Sequence, residues 1–461
     1  MTRTIFAALL LASACVPAWA EQAPAEPRAK NVILFIGDGM GISTITAARI
    51  YEAQKRGEPG EENRLSFETF PNVALVKTYN TNAQVPDSAG TATAIHSGRK
   101  TRIGVLGIGP EAVKGVCKDA LEHPLPLLGE EVKARGLALG IVTTTRITHA
   151  TPASVYARSA DRDWESDTNI PADQQGQGCK DIALQLSEAR FDVALGGGSA
   201  MFYGKKAGGR RGDAAADLAA AWAAKNGGVV VKTAAELAAA PMDKPVLGLF
   251  NPSHMGFMAE RRPDSPEPTL TDMTAQAIAR LAADPDGFYL MVEGGRIDHA
   301  HHAGQAGYAL EETVEFARAV QWAIDHTDPA ETLILVTADH SHVFTIAGYP
   351  RRGNDILGLV VAHEGSGEDG GDGITPVLAA DGKPYTTLGY ANGPGAVSGE
   401  RPVPQTGLAA RQQSLVPTGI ETHGGEDVAL FATGPGAERA HGVIEQNLVY
   451  SIIRKALGWE D

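Results

Sequence analysis

The chain has 461 residues, of which 40 are Lys or Arg and 55 are Asp or Glu, for a formal net charge of −15. So acidic a chain lacks the clustered cations that a broad nucleic-acid-binding surface needs, and any anionic ligand must be held by local positive charge. With 43% apolar residues and three Cys, it is neither disordered nor a disulfide-dense mini-scaffold, and its length suits one large α/β domain with insertions.

Met1 to Ala20 carries one charge, Arg3, then an apolar run from Ile5 to Cys15, then Ala18-Trp19-Ala20 as a small-x-small cleavage site, and is expected to be a secretory signal. A buried N-terminal helix is the competing reading. Lipidation at Cys15 is disfavoured by Ala12, which stands where a leucine is usual. Removing these residues makes the net charge −16 and leaves Cys117 and Cys179. Two Cys in an exported chain pair more often than not, and a Cys117–Cys179 bridge would stabilise by on the order of 4 kcal/mol in the chain-entropy model. Two free thiols are the alternative. No later run approaches the roughly 18 apolar residues of a membrane span.

Val32 to Ile36, ending in Gly37-Asp38-Gly39, is the pattern of a buried parallel strand and its exit loop, and Ser43 to Arg56 that of a helix stopped by Gly57. Similar runs recur at Leu137–Val142, Val193–Leu195, Val246–Phe250, Phe288–Val292, Thr332–Val336 and Val428–Phe431. Helical patterns lie between several of them, notably Leu270–Ala283, Tyr308–His326 and Gln446–Leu457. Alternation of this kind predicts a three-layer α/β sandwich, a mostly parallel central sheet flanked by helices. Ala214–Ala240 is Ala-rich and predicted helical with a break at Gly227-Gly228. From Gly348 to about Pro417 the chain is rich in Gly, Pro and polar residues, as in an insertion on the main domain, and Gly365–Gly373 is its expected mobile stretch.

Working side chains in such sheets lie beyond the carboxyl ends of strands. Asp38, Glu293 and Asp339-His340 occupy such ends, and His423 lies in the loop before Val428. In VEGGRIDHAHH (Val292 to His302), Asp298 and His302 are four apart and can meet one cation from one face of a helical turn. Mixed imidazole and carboxylate donors suit Zn²⁺, whereas an all-oxygen set suits Mg²⁺ or Ca²⁺. Ser88 heads a small-residue helix ending at Gly98. It is either that helix's N-cap or a nucleophile beside phosphate-binding N–H groups, in which case a metal must activate it, since no G-x-S-x-G elbow surrounds it. Gly37, Gly39 and Gly41 do not make a dinucleotide fingerprint, because Ile42 stands at the last required place.

These residues fall in six motifs: NVILFIGDGMG, VPDSAGTATA, TTTRITHATPASVYA, VEGGRIDHAHH, VTADHSHVF and ETHGGEDVA. Together they identify the chain as resembling the alkaline phosphatases from about Asn31 to Leu457. The resemblance implies Ser88 as a nucleophile that becomes phosphoserine, and Arg162 as a clamp on two phosphate oxygens, against the plainer reading of a salt bridge to Asp161 or Asp163. It implies one zinc on Asp298, His302 and His423, a second on Asp38, Asp339 and His340, and a Mg²⁺ on Asp38, Thr151 and Glu293. His149 and His299 stand where another branch has Asp and Lys, which changes the surroundings of the third metal and of the phosphate. Some relatives hold Ca²⁺ at the stretch matching Phe250-Asn251 and Glu267, and Asn251 in place of an acid weakens that site here. The resemblance further implies a homodimer and a periplasmic or secreted phosphomonoesterase with an alkaline optimum. The alternatives are phosphodiester or sulfate ester cleavage on the same fold, or a silent phosphate- or metal-binding protein.

Overall fold

Ten strands form one sheet in the computed structural model, which describes residues 28–365 and 372–459. The expected signal and most of the Gly365–Gly373 run lie outside those residues. In chain order the strands are β1 Asn31–Gly37, β2 Asn72–Lys77, β3 Ala138–Arg146, β4 Val193–Gly197, β5 Val229–Val231, β6 Val246–Leu249, β7 Phe288–Glu293, β8 Thr332–Ala338, β9 Val428–Thr433 and β10 Gly442–Glu445. Across the sheet they run β10-β2-β9-β8-β1-β7-β3-β4-β6-β5. All are parallel except β9, which runs antiparallel to both β2 and β8.

The central strands are uniformly apolar because helices cover both their faces. Val32 through Ile36 of β1 are all fully buried. Helices Ile42–Gln54, Leu270–Leu281 and Ala306–His326 pack together on one face, and Ser88–Ser97, Leu128–Ala134 and Leu448–Ala456 on the other. In the last of these the buried residues are Val449, Ile452, Ile453 and Ala456, the i, i+3, i+4, i+7 stripe of a one-sided helix.

The structure departs from the pattern reading at the sheet's rims. Strand β2 buries only Ala74 and Val76 and exposes the residues between, so it carries alternation rather than an apolar run. The Ala-rich stretch is two helices, Leu218–Asn226 and Ala234–Ala239, separated by β5, which begins after Gly227 caps the first helix at φ 64. Part of the 348–417 stretch joins Phe344–Ile346 in a separate three-stranded sheet, whose other strands are Leu388–Gly393 and Ser414–Pro417. Cys117 and Cys179 are bonded, with Cα atoms 5.8 Å apart.

Candidate active site

Strands β8, β1, β7 and β3 are neighbours and parallel, so their carboxyl ends open at one edge of the sheet. Gly37 pairs with Ala338, so Asp38 and Asp339 leave the sheet side by side, while Glu293 pairs with Ile36 and Thr143. Asp38, Glu293, Asp339 and His340 are all fully buried. Yet both Asp38 oxygens, Glu293 Oε1, Asp339 Oδ2 and the Thr151 hydroxyl have no hydrogen-bond partner. Buried carboxylates left so bare are costly, and a bound cation is what relieves them. Burial first, and then the Asp339, Asp298 and Glu293 charges, raise the Asp38 pKa well above the carboxylate range. Burial also pushes Glu293 up to about 7, against hydrogen bonds from Thr143 and Thr145.

The three predicted ligand histidines share one arrangement. His302 Nδ1 lies 2.5 Å from the Glu421 carbonyl, His423 Nδ1 2.8 Å from that of Pro86, and His340 Nδ1 3.2 Å from that of Ser341. A carbonyl only accepts, so each Nδ1 carries the proton, and in the neutral imidazole Nε2 keeps the lone pair that a cation needs. Those lone pairs converge: His302 and His423 Nε2 are 3.2 Å apart and lie 3.3 and 3.4 Å from Asp298 Oδ1. His340 Nε2 is 3.4 Å from both Asp38 Oδ1 and Asp339 Oδ2. Two lone pairs and a carboxylate oxygen at the corners of one small triangle repel unless a shared cation sits among them. This orientation of Nδ1–H to backbone is the usual support of metal-binding imidazoles. His423 comes from far along the chain and is delivered by a two-residue ladder, His423–Gly424 against Ser341–His342.

Ser88 is the first residue of its helix and not the cap. Asp87 takes that role, its Oδ1 accepting from the Gly90 N–H at 3.1 Å, so the Ser88 hydroxyl is free to face His340 Nε2 at 3.2 Å. Arg162 does not pair with Asp161 or Asp163. It donates to Asp87 Oδ2 at 3.0 Å and to His149 Nε2 at 3.1 Å, on the same side of the site as Ser88. His149 also comes close to Asp38 and Glu293 in a group able to hold a metal. Its ring lies 5.6 Å from that of His299.

Several residues of the site escaped the pattern reading. His342 has both nitrogens on carboxylates, Nε2 2.9 Å from Asp298 Oδ1 and Nδ1 2.5 Å from Glu421 Oε2. Both must therefore carry protons. Burial works against that, but the hydrogen bonds to Asp298 and Glu421 outweigh it and raise the His342 pKa to about 10. His342 thus props Asp298, tying it to Glu421 through its two ring nitrogens. The signal was its place two residues after His340 in VTADHSHVF. His254 packs 4.1 Å from His299 and contacts Arg146, which Glu165 holds through both carboxylate oxygens. Nothing in the motif spacing marks it. The stretch compared with a calcium site does not fit one. Asn251 donates its amide N–H to Glu267 Oε1 at 2.6 Å, Gly256 N–H donates to Glu267 Oε2 at 2.9 Å, and Asn251 Oδ1 accepts from Ser253.

A sequence profile described as alkaline phosphatase matches residues 29–459. The human tissue-nonspecific alkaline phosphatase isozyme is 45% identical over 93% of this chain and 83% of its own length. An alkaline phosphatase of Gadus morhua is 44% identical over 92% and 90%. Among solved structures, the alkaline phosphatase of Thermus thermophilus superposes with a TM-score of 0.68 at 25% identity, covering 97% of this chain and 96% of that one. That of the Antarctic bacterium TAB5 gives 0.65 at 24%, over 95% and 100%, a likeness of fold. With strand-end acids, paired imidazoles and a free serine in the six motifs, the chain belongs to the alkaline phosphatase family.

Proposed function

We propose that the chain hydrolyses phosphate monoesters through a covalent phosphoserine at Ser88. The observation that supports it most is the convergence of unprotonated His302, His340 and His423 nitrogens on unpartnered buried carboxylates beside a free serine hydroxyl. The donor sets suit two zinc ions, one on Asp298, His302 and His423 and one on Asp38, Asp339 and His340, and a magnesium on Asp38, Thr151 and Glu293. Such ions supply charge neutralisation for an in-line displacement. Ser88 Oγ attacks phosphorus, the P–O bond to the alcohol breaks, and water later cleaves the phosphoserine, so each ester and water yield an alcohol and phosphate. Ser88 Oγ lies 3.2 Å from His340 Nε2, so a cation held by His340 would be within reach of the hydroxyl. Arg162, fixed by Asp87, offers its planar fork to two phosphate oxygens. His342 and Glu421 hold Asp298 and His302 in place.

Purified protein should contain zinc and lose activity on chelation, and should cleave an aryl phosphate monoester faster than a bis-aryl diester or an aryl sulfate. Full activity without zinc, or a faster diester, would overturn the reading. We also infer export to the periplasm or beyond by Met1–Ala20, with 348–417 as an insertion on one catalytic domain. Among the described residues no helix is long and apolar enough to cross a membrane. A homodimer is supported by apolar side chains at and just beyond the insertion, with Leu415 82% and Ile420 60% exposed. A single-chain mass in sedimentation would refute it.

A further inference from the structure

Arg162 sits on no strand or helix. What holds its loop is a small apolar cluster apart from the main core, in which Val105, Ile108, Cys117, Ala160, Trp164 and Ile170 are buried and against which Cys179 packs. Ala160 and Trp164 flank Arg162 two residues to either side. The loop is also tied by backbone: Arg162 N–H donates to the Gly104 carbonyl at 2.9 Å, and Gly115 N–H to that of Ala160 at 2.9 Å. Gly104 N–H in turn donates to Asp87 Oδ2, the oxygen that receives Arg162 Nη1. On the far side, Ile182 N–H donates to the Trp164 carbonyl at 2.9 Å, three residues past Cys179. Eight residues make too small a core to hold a loop by burial alone, and the Cys117–Cys179 bond closes it across 62 residues of chain.

We propose that the Cys117–Cys179 disulfide is a positioning element for Arg162, setting the affinity for the phosphate group while leaving the metal ligands undisturbed. The proposal rests on Arg162 binding phosphate. The ligands stand on strand ends and helices outside the cluster, so loosening it moves the anion clamp and not the cation sites.

The test is the Cys117→Ala/Cys179→Ala protein, made with Arg162 and with Arg162→Ala, each loaded with metal. Inhibition by inorganic phosphate, kcat and metal content are measured on all. With Arg162 present, removing the disulfide should weaken phosphate inhibition on the order of tenfold, with metal content unchanged and kcat altered much less. In the Arg162→Ala background it should have no further effect. Unchanged phosphate inhibition, or an equal loss in both backgrounds, overturns the proposal while leaving the role of Arg162 intact. If Arg162→Ala alone leaves phosphate inhibition untouched, the role of Arg162 fails and the proposal with it. Should the double variant not fold, the native holoenzyme can be treated with a water-soluble phosphine and its metal content checked. The phosphine takes an oxygen from water to become a phosphine oxide, giving two electrons and two protons to the S–S bond and leaving two Cys thiols. Cys179, half-buried, lines a cavity of ≈ 360 Å³. The same weakening should appear and reverse on reoxidation, and its absence with both thiols titrated would overturn the proposal.

Discussion

The two halves of the site are built differently. In the half suited to cations, Asp38, Glu293 and Asp339 stand fully buried at the ends of three adjacent parallel strands locked in register, and Asp298 and His302 on the helix that follows β7. The half suited to the anion stands on a helix start and an irregular loop, with Ser88 on one and Arg162 on the other, coupled through Asp87. Like charges packed as closely as Asp38 and Asp339 tolerate little error, and hydrogen-bonded strands hold position best. A phosphate that must enter and leave is better served by groups on a tied loop.

The sharpest way to break this comparison is Ser88→Ala. It removes the atom that forms the covalent bond yet touches no strand, so turnover should fall on the order of a thousandfold while metal content and phosphate binding persist. Metal loss in that variant would show that the halves are not separable. Glu421→Gln probes the other half. Its carboxylate holds His342, which holds Asp298, and its carbonyl receives His302 Nδ1–H, so Gln keeps the carbonyl but weakens the carboxylate contact. Affinity for the metal at Asp298, His302 and His423 should drop about 10- to 100-fold in competition with a chelator, with little change in the far-ultraviolet spectrum. Unaltered metal affinity would reduce Glu421 to packing.

The two halves were also unequally legible. Strand ends announce themselves, because an apolar run followed by Asp, Glu or His is visible without a partner, and Asp38, Glu293, Asp339 and His340 were all placed that way. The small ladder that brings His423 beside His342 has only two residues per strand and leaves no periodic trace. Arg162, set between two acids, carries the pattern of a surface ion pair, and only the fold turns it inward. Likewise Ser88 suited a cap until Asp87 was seen to fill that place. The rims β2 and β10 were missed because half-exposed strands lack apolar runs, and His254 because its partners Arg146 and His299 are distant in sequence.

The seam between the halves offers the smallest and most specific effect. His96, fully buried on the Ser88 helix, donates Nδ1–H to the Ala92 carbonyl at 3.1 Å and accepts at Nε2 from the Tyr289 hydroxyl at 2.9 Å, joining that helix to β7. Burial lowers its pKa from 6.5 to about 4, so the folded chain keeps it neutral where the unfolded chain does not. As pH falls below 6.5 the unfolded state takes up the proton first, and stability present above that value is lost progressively toward pH 4, by about 3 kcal/mol. His96→Gln keeps polar atoms but cannot titrate. It should be less stable than the parent at pH 7, and urea unfolding of metal-free proteins should show the gap narrowing between pH 6.5 and pH 4. Parallel stability curves for the two proteins would mean that His96 is protonated or hydrated in the fold, and that the Ser88 helix is anchored to β7 by packing alone.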